Sequence, residues 1–174
     1  MKIFKLFFVA AVLLTMTACG NDDDGGSSEI ELTNATLAGT YDITFLEGSS
    51  QTSLTSSTGT TVVSSTETYS GSVFSDAVLR LNASGTYSVA GDYVLTSIVT
   101  ETGMDSETVE DIVTLNDSGS FTVNNEERTI SFDGEVSDIL LFDGTNLRLG
   151  STFIEVEGNE TETSEEELRL VKQE

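Results

Sequence analysis

The chain has no histidine, no proline and no tryptophan, one cysteine, and 7 basic residues against 30 acidic ones in a length of 174. Each scarcity excludes something. Without histidine there is no side chain that titrates ordinarily near neutrality, and the commonest transition-metal ligand is missing. Ser-His and Cys-His catalysis are therefore excluded, and zinc would need carboxylates alone, which is not how zinc sites are built. With one cysteine no disulfide can form within the chain. Without proline, strand edges must be blunted by charge, twist or closure. A formal charge of −23 argues against nucleic acid as a partner and against bare anionic lipid, while it favours solubility. Carboxylate-pair hydrolysis stays formally open, but so many acids offer no preferred pair. The expectation is a protein that is not an enzyme and needs no cofactor or metal.

What is present starts with a patterned N-terminus. Lys2 and Lys5 precede the apolar run Leu6 to Leu14, and the small residues Thr17 and Ala18 lead to Cys19. That is the layout of a secretory signal peptide, with an apolar core short of the about 20 residues a spanning helix needs. Directly after it come Asp22, Asp23 and Asp24 in a Gly/Ser-rich stretch. Three adjacent aspartates do not space ligands along a turn as calcium loops do.

Met16-Thr17-Ala18-Cys19 resembles the lipobox of bacterial lipoproteins, with Met16 in place of the usual leucine. The resemblance implies cleavage before Cys19 and acylation of that cysteine, palmitate being a typical chain. Each buried methylene of such a chain contributes about 0.8 kcal/mol, so several chains make a stable membrane anchor. The aspartates resemble the surface-export signal of lipoproteins of the Bacteroidota, which implies the outer face of the outer membrane. The expected organisation is a signal peptide over 1–18, a lipidated cysteine and acidic tether over 19–36, and one folded domain over 37–174.

In that domain the dominant period is two, the signature of half-buried strands. In "YDITF", Tyr41, Ile43 and Phe45 fall on one face. Similar pairs are Leu79 and Leu81, Tyr87 and Val89, Phe121 and Val123, Ile130 and Phe132, Leu147 and Leu149, Ile154 and Val156, and Leu168 and Leu170. Turn signals stand between them: "NASG" (82–85), "NDSG" (116–119), "NNEE" (124–127), "DG" at 133–134 and 143–144, and "EGN" (157–159). Antiparallel hairpins follow. "VLRLNASGTYSV" (78–89) and "IVTLNDSGSFTV" (112–123) are alike; the simplest account is two similar hairpins, with Gly85 and Gly119 at positive φ. The Ser/Thr-rich segment 49–68 reads as a loop and a polar or edge strand, 101–111 as a hairpin end, and Glu165 to Glu167 as a loop or the start of an outward-facing strand.

"LAGTYDITF" (37–45), "LRLNASGTYSVAGDYVL" (79–95), "RTISFDG" (128–134) and "GTNLRL" (144–149) resemble the lipocalin-like domains of Bacteroidota lipoproteins. The resemblance spans about residues 37–172 and implies an all-β, antiparallel up-and-down β-barrel of about 8–10 strands. Tyr41 stands where lipocalins place tryptophan, and Arg169 or Arg148 is the candidate to cover its ring. An eight-stranded barrel is near the size at which side chains fill the interior or leave room for one small ligand. The expected function is to bind a small apolar or amphipathic ligand, with Tyr41, Phe45, Tyr87, Tyr93, Phe121 and Phe132 as lining. The alternative is a structural or interaction module of a surface complex with a filled interior. The membrane, through the lipid anchor, and a small hydrophobic ligand are the expected partners; no protein partner is specified.

Overall fold

The computed structural model describes residues 30–174. The expected signal peptide, Cys19 and Asp22 to Asp24 lie outside the described residues. One short helix, α1 (Asn34–Leu37), is followed by eight strands: β1 (Gly39–Thr55), β2 (Thr61–Leu81), β3 (Thr86–Glu101), β4 (Glu107–Asn124), β5 (Thr129–Phe132), β6 (Glu135–Phe142), β7 (Asn146–Glu157) and β8 (Glu160–Lys172). Each strand pairs antiparallel with the next, and β8 pairs back to β1 to close the sheet into a ring. Closure gives most strands two partners, which suits a chain with no proline to protect an edge.

Turn chemistry sets the hairpins. Asp133 and Gly134 both take positive φ, 50° and 99°, as the tightest two-residue hairpin loops require. Asp143 accepts from the backbone N–H groups of Thr145 and Asn146, which fixes the β6–β7 turn. "NASG" is a turn with Gly85 at φ 84°. "NDSG" is not a turn: β4 runs straight through it, with Asn116 opposite Ala90 and Gly119 opposite Tyr87, and Gly119 is not at positive φ. The two similar stretches are therefore a hairpin and a continuous strand. In segment 49–68 the expected polar strand is present and the loop narrows to 56–60. β1 and β2 stay paired from Ser50–Glu67 to Thr55–Thr61, because alternating threonine and serine satisfy a pleated ladder as well as apolar residues do.

Bulges break the period of two. Between Ile43 and Phe45 on β1 the pairing to β8 advances only from Leu170 to Arg169. The extra residue rotates the strand, so Tyr41, Ile43 and then Leu46 are buried, while Phe45 turns outward under the Arg169 guanidinium, 4.1 Å from its ring centre. This corrects the expectation that Phe45 shares the face of Tyr41. On β2 two bulges follow one another, Ser72–Ser75–Val78 against Val94–Asp92–Ala90 of β3. Ile154 and Val156, expected on an inward face, are 53% and 68% exposed; inward β7 positions are Leu147, Leu149 and Ser151, two residues apart, and these two are out of phase with them.

The core sits at one end. α1, capped by Thr33 through a capping box with Thr36, closes the ring there. Leu32 and Leu37 pack with Tyr41, Leu81, Phe121, Ile130, Leu147 and Leu170. Packing thus begins ahead of residue 37, at Leu32, whose N–H also donates to the Asn125 side chain at 2.7 Å. The Tyr41 hydroxyl donates to the Leu37 carbonyl at 2.7 Å, and burial pushes its pKa up to about 12. Neither candidate arginine covers this ring. Lys172 does, with Nζ 5.8 Å from the ring centre, while Arg148 and Arg169 both pair with Glu167.

Candidate functional site

Beyond the packed layer the ring is hollow. A cavity of about 610 Å³ is walled by apolar side chains from β1, β2, β3, β4, β7 and β8, among them Ile43, Leu46, Leu79, Val89, Leu95, Val113, Leu115, Leu149 and Leu168. Its wall is incomplete on one side. β4 pairs with β3 back to Glu107 but with β5 only over Phe121 to Asn124. β7 pairs with β8 out to Glu157 but with β6 only as far as Gly150. Past the short β5–β6 hairpin, β4 and β7 therefore present edges with no partner strand among the described residues.

Of the six aromatic residues expected as lining, Tyr87, Tyr93 and Phe132 border the cavity. Tyr41 and Phe121 do not; they are 0% and 1% exposed, within the packed end. Phe45 lies outside, by the bulge described above. Phe74 and Tyr69 join the lining instead. The two β2 bulges bring Phe74 inward, where it stacks on Tyr93 with ring centres 5.8 Å apart. The backbone strain is local: Val73 and Asp76, on either side, have φ 50° and 49°, unfavourable for a β-branched residue above all.

Two polar groups interrupt the apolar wall, and each depends on a glycine. Gly48 of β1 lies opposite both Tyr69 and Glu166. A Cβ at Gly48 would collide with the Tyr69 ring; without one, the ring crosses β1 and its hydroxyl donates to Glu166 Oε2 at 2.9 Å. Burial pushes the Glu166 carboxyl above the usual range. Burial, followed by the Glu166 charge, holds the Tyr69 hydroxyl far above its ordinary value. In the second group Gly119 leaves room for the Asp133 carboxylate, which accepts from the N–H and hydroxyl of Ser120 at 2.8 and 3.0 Å. Those hydrogen bonds lower its pKa. The Tyr87 hydroxyl lies 3.0 Å from Asp117 and 3.1 Å from Asp133, and its single proton serves one carboxylate at a time. Glu135, raised by partial burial and then by the Asp133 charge, completes this group.

Glu166 could have been found from sequence: stepping back by two from Leu170 and Leu168 lands on it. Instead of lying in a loop or facing outward, it points into the cavity, while its neighbour Glu167 faces out to the arginines. Asp117 follows Val113 and Leu115 by the same step, hidden by the expected turn. Tyr69 and Phe74 had no such signal, since one depends on a glycine across the strand and the other on bulges.

Fold and site together define a class: an all-β chain whose closed eight-stranded antiparallel sheet is packed at one end and encloses an apolar, carboxylate-bearing cavity at the other. No family model, curated protein or solved structure matches this chain.

Proposed function

We propose that this protein is a lipid-anchored surface lipoprotein whose lipocalin-like barrel holds one small ligand with an apolar body. The observation that carries the binding role is the cavity of about 610 Å³, inside the range of about 300–1,000 Å³ typical of small-molecule sites. It is closed at one end by α1 and the packed layer and has an unpaired stretch of wall for entry. Its lining of aliphatic and aromatic side chains suits apolar surface, which gains about 25 cal/mol per Å² on leaving water. Anchoring rests on the lipobox-like Met16 to Cys19 and surface display on Asp22 to Asp24.

Native mass spectrometry of the protein purified gently from its own cells, compared with the denatured mass, tests the carrier role. A reproducible extra mass lost on denaturation is expected. Absence of any adduct, together with failure to take up lipophilic probes, would sink it. The anchor is tested separately by radiolabelled palmitate, which should label the wild-type chain and not Cys19→Ala. Outward-facing Ile112, Ile154 and Val156, with Ile112 78% exposed, support a second reading as an interaction module, which an empty, non-binding cavity would favour.

A further inference from the structure

Accepting the carrier reading, the charge of the cavity narrows its ligand. Five carboxylates border it, Glu67, Asp117, Asp133, Glu135 and Glu166, and no lysine or arginine does. The nearby bases are engaged elsewhere: Arg148 and Arg169 hold Glu167 on the outer face, and Lys172 lies against Tyr41 at the packed end. The field inside the cavity is therefore negative, and low-dielectric walls concentrate it. A fatty acid or other anionic amphiphile would bring further negative charge to a site with no cation in its lining.

Glu166 pairs with a cavity-lining aromatic, Tyr69. One oxygen accepts from Tyr69, and among the described residues the other takes no hydrogen bond. Its other oxygen is open to the hollow, and the strongest partner a ligand could bring to it there is an N–H donor bearing positive charge. Tyr69, Tyr93 and Phe74 also border the cavity, and aromatic faces attract organic cations. A metal ion fits less well, because no group of three or more carboxylates is placed to hold one among the described residues.

We propose that the cavity takes an organic cation, an amphiphile whose ammonium or guanidinium head donates to Glu166 and whose apolar body lies along Leu79, Val89, Leu115 and Phe132. Glu67 adds attraction without direct contact. Head and body are recognised at once, so neither a small hydrophilic amine nor a neutral hydrocarbon uses the whole site.

The test is isothermal titration of the full chain in phosphatidylcholine nanodiscs with octylamine, octanol and octanoate at pH 7, empty nanodiscs serving as the blank. Octylamine should bind at least about tenfold more tightly than octanol, the margin expected for one charge-assisted hydrogen bond, and octanoate should not bind. Glu166→Gln, which keeps shape and hydrogen-bonding capacity, should erase the octylamine advantage over octanol; its thermal melt verifies folding. Octanol binding as tightly as octylamine, or octanoate binding better, would overturn the cation assignment and leave the carrier reading standing. No binding by any of the three would overturn the carrier reading itself. The wild-type series decides the matter even if the variant fails to fold.

Discussion

Leu147 and Leu115 are both inward-facing leucines in regular strands, yet their surroundings differ. Leu147 is 1% exposed among Tyr41, Phe121 and Leu170, whereas Leu115 is half-buried and borders open space. Half of the ring is a solid core and half is a lined hollow. The difference arises because α1, Leu32 and Leu37 fill one end, while at the other the inward positions alternate with glycine, serine and carboxylates. Stability should therefore be concentrated at the packed end, and recognition at the other.

The sharpest break of that contrast is Phe121→Ala. It should cost about 3–5 kcal/mol, read as a lower urea midpoint with unchanged slope. Leu147→Ala follows at about 2–5 kcal/mol. Leu115→Ala should cost only about 1 kcal/mol, since its side chain is not fully removed from water and no sealed void is created. Equal costs for the two leucines would mean that the ring interior is uniformly filled. Tyr41→Phe leaves the buried Leu37 carbonyl without its donor and should cost about 1–3 kcal/mol. Val73→Gly should stabilise by about 0.5–1 kcal/mol, because glycine tolerates φ 50° and its entropic penalty offsets only part of the relief.

The smallest effect carries the most information about the hollow end. Burial lifts the folded-state pKa of Glu166 above its unfolded value. Over the intervening pH window the native state keeps a proton that the unfolded chain has lost, so stability falls as pH rises through it. Glu166→Gln should consequently melt at a higher temperature than wild type at pH 7, and the advantage should vanish below the ordinary carboxylate range. A variant that melts lower at pH 7 would show that the charged carboxylate is compensated and the site is not waiting for a cation.

A second pair of regions shows what could be read without coordinates. Residues 78–89 and 112–123 share an Asn-x-Ser-Gly centre, but the first forms a turn and the second is strand. In the first, Gly85 takes positive φ and the chain reverses. In the second, Asp117 and Gly119 face β3 in register, and the missing Cβ of Gly119 receives Asp133 from another hairpin. Local chemistry permits a turn in both places; only a partner distant in sequence decides between them. Phe45 and Phe74 make the same point from opposite sides, one sent out and the other brought in by bulges that no alternation predicts.

The sequence alone determined an all-β fold built of antiparallel hairpins, because alternation and Asp-Gly turns are local consequences of side-chain sterics. Tertiary structure decided which aromatics fill the packed end and which line the hollow, and which carboxylates face inward. Those outcomes depend on bulge positions and on cross-strand glycines, where one inserted residue or one absent Cβ redirects side chains contributed by strands far apart in the chain.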